Sequence, residues 1–322
     1  MMKTFAPLCL LCLASLCACQ KKIPCTPNEN FSLHRYETYL MEADTAQLQT
    51  ALENALPEFE LFLQGADLSD SVNLLRIRYF LEDPMVEDAY SHIEKTYGDG
   101  KALHRELACL FGRVQVFFPD FKAPEVYTYI SYYDFVNRIL YHDSILTIAL
   151  DLYLDNPTEA LDEAGIPRYL SRRFNSAHLL PDIARVIGAK HIQTSTERVS
   201  LLDHIASDGK LVHFITQVCP DADMEHILGF SHEEYLWCKA HEKEVWQYIV
   251  RQNLLFETDP FKFRYFVNEG PFNPLLPGAP ARLSQFIGWR IVERYLKKTE
   301  ADFSTLLACP PRELLRLSAY KP

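Results

Sequence analysis

The stretch ILTIALDLYL, residues 145–154, decides the fold class, because its residues alternate with a period of two in a chain that is otherwise patterned for helices. One set of alternate positions is entirely aliphatic: Leu146, Ile148, Leu150, Leu152 and Leu154. The intervening set is Thr147, Ala149, Asp151 and Tyr153. Together with EVYTYIS upstream (residues 125–131), this pattern predicts a small central antiparallel or mixed sheet over roughly residues 125–155, ended by the turn signal Asp155-Asn156-Pro157.

Helical periodicity dominates on both sides of this sheet. In TAQLQTALENALPEFELFLQGA (residues 45–66), Leu48, Leu52, Ala55 and Phe59 fall on one helix face. Further helices are predicted over residues 70–97 (two), 103–118, 168–174, 179–192, 199–218, 231–254 and 283–298. We therefore predict an α+β fold that is predominantly α-helical, with residues 31–322 forming a single α-rich domain.

The N-terminus, MMKTFAPLCLLCLASLCACQKK, indicates an exported lipoprotein. One lysine precedes an apolar run from Phe5 to Leu16, as in a short signal peptide. The tetrapeptide Leu16-Cys17-Ala18-Cys19 resembles a bacterial lipobox, whose last cysteine is acylated and becomes the first residue of the mature chain. We predict removal of residues 1–18, a membrane anchor on Cys19 and a polar tether over residues 19–30; the alternative is an ordinary secretory peptide cut near Ala18.

The mature chain has few signals for chemistry. Five cysteines remain, Cys25, Cys109, Cys219, Cys238 and Cys309, and an odd number cannot all pair within one chain, so their pairing stays open. Four of the five lie in apolar contexts, where cysteine is usually a small buried hydrophobe. The formal net charge of −11 becomes −12 when Lys3 leaves with the signal peptide. Such an acidic chain lacks the basic face that nucleic acid requires, so no nucleic-acid partner is predicted.

The segment SHEEYLWCKAHEKEVW, residues 231–246, contains two His-Glu pairs but no zinc helix. The zinc-protease signature H-E-x-x-H needs a second histidine one turn after the first, and Leu236 and Val245 stand at those positions. Ser231 and Glu234 instead have the spacing of a capping box at a helix N-terminus.

Several segments, in the same order along the chain, resemble the GldB family of gliding-motility lipoproteins of the Bacteroidota. They are the lipobox, RILYHDSILTIALDLYL (138–154), LLDHIASDGKLVHFITQVCPD (201–221), residues 229–272 and PGAPARLSQFIGWRIVERYLKK (277–298). The most specific part is Pro277-Gly278 followed by Gly288-Trp289-Arg290-Ile291-Val292. The resemblance implies a cell-envelope lipoprotein without a cofactor, whose protein partners belong to the gliding and associated protein-export machinery. Since Gln20-Lys21-Lys22 is not the acidic run that usually directs lipoproteins of this phylum outward, we expect an outer-membrane lipoprotein that faces the periplasm.

The layout is also similar to zincin-like zinc-dependent proteases, with a degenerate site. Ile187-Gly188-Ala189-Lys190-His191 stands where H-E-x-x-H belongs, and Ser207-Asp208-Gly209-Lys210 stands where the third ligand belongs. The resemblance leaves His191, His204 and Asp208 as vestigial metal candidates, without the glutamate that would activate water. The sequence therefore favours a non-catalytic lipoprotein that acts by binding or assembly over the alternative, a divergent zinc-dependent hydrolase.

Overall fold

Four short strands form one mixed sheet. The computed structural model describes residues 22–155, 161–162, 165–192 and 199–322. The strands are β1 (Leu33–Arg35), β2 (Glu125–Tyr129), β3 (Ile139–His142) and β4 (Ile145–Ala149), in the spatial order β1-β2-β4-β3. β1 and β4 both run parallel to β2, and only the hairpin β3–β4 is antiparallel. The mixed sheet is confirmed; a purely antiparallel sheet is wrong.

The stretch 145–154 is a strand only in its first half. β4 ends at Ala149, and Leu150–Leu152 form a 3₁₀ turn. Both alternate sets are buried, because β4 is an interior strand of the sheet and is covered on both faces. The buried Asp151 carboxylate accepts hydrogen bonds from the backbone N–H groups of Ser131 (3.0 Å) and Tyr133 (2.8 Å). These bonds connect the turn to the loop that follows β2, and they satisfy the Asp151 carboxylate in the protein interior.

Helices account for most of the described chain. Between β1 and β2 lie α1 (Tyr36–Met41), α2 (Leu48–Leu63), α3 (Ser71–Leu81), α4 (Pro84–Tyr97) and α5 (Lys101–Phe117). After β4 come α6 (Arg168–Ser171), α7 (Ser176–His191), α8 (Leu201–Val218), α9 (Met224–Leu228), α10 (His232–Arg251), α11 (Pro260–Val267), α12 (Leu283–Thr299), α13 (Phe303–Ala308) and α14 (Pro311–Ser318). The predominantly α-helical α+β class is confirmed. No helix of the described residues combines the length and apolarity needed to cross a bilayer.

Two features predicted from the local sequence are present in the structure: the buried face of α2 and the N-terminal end of α10. The α2 face formed by Leu48, Leu52, Ala55 and Phe59 is buried, as its periodicity predicts. At α10, the Ser231 hydroxyl accepts from the Glu234 N–H (3.2 Å), and the Glu234 carboxylate accepts from the Ser231 N–H (2.9 Å). The predicted capping box is therefore confirmed.

Helices α8 and α12 pack with their backbones in contact. A Cβ atom added at Gly288 would lie 2.0 Å from the carbonyl oxygen of Ile205, and one added at Gly209 would lie 2.3 Å from the carbonyl carbon of Gly288. Only glycine at both positions permits this approach, because any larger residue would overlap main-chain atoms. The pair α8–α12 thus forms a backbone-to-backbone contact, which also brings Ser284 of α12 next to Asp208 of α8.

Candidate functional site

The three predicted metal candidates lie in two different environments. His191 ends α7, where its ring stacks on Phe118 with centroids 4.2 Å apart. Burial and the neighbouring Lys190 lower the pKa of His191. His204 lies in the first turns of α8, and its ring packs against Phe263 at 5.6 Å.

Asp208 lies one turn after His204 and is half-buried. The Ser284 hydroxyl donates to its carboxylate at 2.5 Å. Burial raises the pKa of Asp208, although Ser284, Arg185 and His204 each act to lower it. The structure therefore brings His204 and Asp208 into electrostatic contact. Among the described residues, which include all three candidates, no group of three His, Cys, Asp or Glu side chains is arranged to hold a metal ion.

The strongest concentration of buried charge is centred on Asp182 of α7. Its Oδ2 atom accepts from Arg138 Nη2 (3.2 Å) and from the Tyr153 hydroxyl (3.0 Å). Arg173 Nη2 lies 3.5 Å from the other carboxylate oxygen. Burial would raise the pKa of Asp182, but Arg138, Arg173 and Arg185 outweigh it and lower the pKa to about 2. Asp182 is therefore a buried carboxylate whose ionised form is favoured at neutral pH.

Arginines of the same cluster enclose the C-terminal end of α9. Arg185 donates to the Ile227 carbonyl, and Arg282 Nη2 donates to the Gly229 carbonyl at 2.8 Å. A helix C-terminus has unpaired carbonyl groups and a partial negative charge, which guanidinium groups satisfy. Burial, together with Arg173 and Arg185, lowers the pKa of Arg282 to about 9.

Glu269 joins this cluster from the loop after α11. It accepts from Arg173 Nη1 at 2.8 Å and lies 3.3 Å from Arg282 Nε. The cluster therefore connects α7, α9, α12 and the strand region through charge-assisted hydrogen bonds. We define it as the arginine cluster: Arg138, Arg173, Asp182, Arg185, Glu269 and Arg282. It contains no nucleophile paired with a base, and its ion pairs and hydrogen bonds link the elements that carry its members.

A family model described as gliding motility protein GldB matches residues 19–322, nearly the whole chain. This chain is a member of the GldB family. No curated protein and no solved structure shows significant similarity to it. The resemblance to this family is thus confirmed over residues 19–322.

The described part of the predicted tether in this GldB-family protein lies fixed along α5. Cys25 forms a disulfide with Cys109, which is in the middle of α5. The Asn28 N–H donates to the Ala108 carbonyl at 2.9 Å. A Cβ atom at Gly112 would lie 1.7 Å from the Thr26 carbonyl oxygen, so glycine is required for this approach. The remaining cysteines, Cys219, Cys238 and Cys309, are buried and free of disulfides, as their apolar contexts suggested. Cys109 also has an apolar context, and for it the interpretation as a simple buried hydrophobe is wrong.

We call the described part of the tether, residues 22–30, the N-terminal arm, and its start contacts the C-terminal end of α8. Lys22 Nζ lies 2.8 Å from Asp221 Oδ1. Arg113 donates to the carbonyls of Ile23 (3.2 Å) and Val218 (3.4 Å) and so links the arm to α8. Beside this point a cavity of about 400 Å³ opens between α5, α7 and the α8–α9 loop, with Asp221 in its wall. Cys19 lies outside the described residues.

Proposed function

We propose that this GldB-family protein is a lipid-anchored protein of the cell envelope that supports the gliding-motility and associated protein-export machinery by binding or assembly, without catalysis. Its anchor is an acylated Cys19, exposed when residues 1–18 are removed, and residues 31–322 act as one domain. It is held on the periplasmic side of the outer membrane.

The family match is the observation that carries this proposal. It begins at Cys19, the residue that the lipobox predicts as the first of the mature chain. The arm supports the same reading, because it holds the chain from Lys22 onward against the folded part. Three peptide units separate Lys22 from Cys19 and span at most about 10 Å. An anchor at Cys19 therefore holds the C-terminal end of α8 close to the bilayer.

The environment of Gly188 supports a role without catalysis. In the protease-like layout this position would carry the catalytic glutamate. A Cβ atom there would lie 2.7 Å from Leu211 Cδ1 and 2.8 Å from Phe214 Cδ1. The helix face that a general base would need is thus filled by α8. What favours binding over the hydrolase alternative is this filled face, together with the separate surroundings of His191.

We expect the Cys19→Ser variant to lose its lipid, because acylation requires the sulfur of residue 19. Cells grown with radioactive palmitate should label the wild-type protein, and the variant should show no label. Cys17→Ser is the matched control: it changes the same residue type two positions earlier, inside the signal peptide, and should keep the label. A labelled Cys19→Ser protein would show that the lipobox has been misread.

The same cells can be used to test which side of the outer membrane the protein faces. Protease added to intact cells should leave the wild-type protein whole, and protease added after the outer membrane is permeabilised should cut it. Digestion in intact cells would instead place the protein on the outer face.

We expect the His191→Ala variant to retain the envelope function of the wild-type protein, because His191 packs on Phe118 and serves no chemical step. Function is measured as complementation of a deletion strain, and zinc as metal per purified chain. One tightly bound zinc per chain, lost with function in His191→Ala, would revive the hydrolase.

A further inference from the structure

Two exposed phenylalanines, one in α11 and one in the segment before it, each have an arginine stacked on the ring. Phe261 is 76% exposed and Phe256 is 54% exposed, both unusual for side chains of this size. The guanidinium of Arg264 lies 5.7 Å above the Phe261 ring and 4.7 Å above the Tyr265 ring, and that of Arg312 lies 4.6 Å above the Phe256 ring. We call these five residues, Phe256, Phe261, Arg264, Tyr265 and Arg312, the aromatic–arginine surface.

A compact turn holds the two phenylalanines. Glu257 accepts from Lys262 Nζ at 2.6 Å and from the Asp259 N–H at 3.0 Å, which closes the segment that separates them. Asp259 in turn caps α11 by accepting from the Phe261 N–H at 3.1 Å. The nearby carboxylates are therefore occupied by local partners, and the two rings are presented on a fixed backbone.

The arginines of this surface have no carboxylate partner within the described part of the chain. Arg264 donates to the Tyr265 hydroxyl at 2.9 Å, and Arg312 contacts the Phe256 ring. Both guanidinium groups thus keep donors available on a chain whose formal net charge is −11. A local positive charge beside exposed rings is the composition found at the centres of protein interfaces, where arginine and aromatic residues are enriched.

The aromatic–arginine surface lies far along the fold from the residues that would adjoin an anchor at Cys19. At the start of α8, the N–H groups of Leu201 and Leu202 donate to the carbonyls of Glu257 (3.1 Å) and Leu255 (2.9 Å). The N-terminal arm contacts the other end, at Val218 and Asp221. The 18 residues of α8 span about 27 Å. The aromatic–arginine surface is therefore at the end of α8 remote from the anchor.

We propose that the aromatic–arginine surface is the docking site for an envelope protein that presents carboxylates beside apolar side chains. The apolar side chains of the partner cover Phe256 and Phe261, and its carboxylates accept from Arg264 and Arg312. A carboxylate pairs with the guanidinium fork through two hydrogen bonds, which gives direction to the contact. The inference rests on the proposed binding function and names the surface that performs it.

The test places the photoreactive residue p-benzoylphenylalanine at position 261 of the full-length protein in the bacterium that produces it. Val136, which is 75% exposed in the loop before β3, is the matched control position. Irradiation should give one discrete adduct from position 261 and none from position 136. The cross-linked peptide of the partner, identified by mass spectrometry, should contain Asp or Glu near the site of attachment.

Charge reversal separates docking from chance proximity. Arg264→Glu combined with Arg312→Glu should reduce the adduct about tenfold or more, the effect of losing about 1.4 kcal/mol of binding. Arg76→Glu combined with Arg105→Glu makes the same change in net charge on exposed helix positions elsewhere and should leave the adduct unchanged. The urea midpoint of each double variant should match the wild type, because the altered side chains are not in the core.

An adduct with a second copy of this chain, an adduct with phospholipid, no adduct, or an adduct that survives charge reversal would each overturn the inference. If palmitate labelling and complementation persist in any of these cases, the proposed function stands and only this surface assignment fails. If the wild-type protein itself does not restore the function of the deletion strain, the proposed function fails instead.

Discussion

The Gly288→Ala variant is expected to lose about 3 kcal/mol or more of unfolding free energy, the upper range for overpacking a tight core. The added methyl group would lie 2.0 Å from the Ile205 carbonyl oxygen and 2.7 Å from the Gly209 nitrogen. Both are main-chain atoms, so no change of rotamer can make room. Helices α8 and α12 must separate, and the apolar contacts between them are lost. A lower midpoint in urea unfolding, monitored by circular dichroism, measures the effect.

Gly188→Ala is the matched control, because it makes the same substitution inside a helix. There the methyl group would meet the ends of two side chains, Leu211 at 2.7 Å and Phe214 at 2.8 Å. Side chains can move, so we expect a smaller loss than at Gly288. Both variants gain about 1 kcal/mol of helix propensity, which cancels in the comparison. Equal stability of Gly288→Ala and the wild type would mean that the two helices are farther apart than described.

The Asp182→Asn variant is expected to lose about 3–5 kcal/mol, the typical cost of removing one partner of a buried ion pair. Asparagine is nearly the same size, so the loss is electrostatic. Arg138 would lose its carboxylate partner, and the buried Arg173 would keep only Glu269. Equilibrium unfolding at pH 7 measures the difference.

Asp208→Asn is the control, and we expect it to change stability by less than about 1 kcal/mol. Burial raises the pKa of Asp208, so the fold disfavours its ionised form. An asparagine oxygen can still accept from Ser284, and the buried charge is removed. Equal losses in the two variants would contradict the distinction between Asp182, whose ionised form is favoured by arginines, and Asp208, whose ionised form is disfavoured.

The two carboxylates also differ in pH dependence. The pKa of Asp182 is lowered to about 2, so its contribution to stability is present above the ordinary aspartate range. It is lost as the pH falls from about 4, the unperturbed aspartate pKa, towards the folded-state value. The pKa of Asp208 is raised, so its contribution has the opposite sign and is lost as the pH rises. The acid-side loss of stability should therefore be shallower in Asp182→Asn than in the wild-type protein.

Sequence patterns predicted those structural features that depend on residues close together in the chain. The α2 stripe and the Ser231 capping box depend on residues that are neighbours in the sequence, and both are present in the structure. The end of β4 was mispredicted because hydrophobic alternation continues through the 3₁₀ turn after Ala149. β1 was missed because three residues are too few to show a period.

The arginine cluster was missed because its members are far apart in sequence. A single aspartate in the apolar run LLPDIARVIG was the available signal, since Asp182 shares a helix with the buried Leu179 and Ile183. That signal predicts a buried carboxylate with a compensating partner. It cannot name Arg138, which is 44 residues away, because that contact depends on how the strands meet α7.

The disulfide of the arm has a mechanical consequence. Cys25 follows the proposed lipid attachment site by only six positions in the sequence. Tension transmitted through a membrane anchor would first act on the Lys22–Asp221 ion pair and then on the hydrogen bond from Arg113 to the Ile23 carbonyl. These contacts can break one at a time. At Cys25 the peeling stops, because the covalent bond passes the force to Cys109 in the middle of α5. A pull on the lipid would thus act in shear on a packed helix and could not unravel the chain from its end.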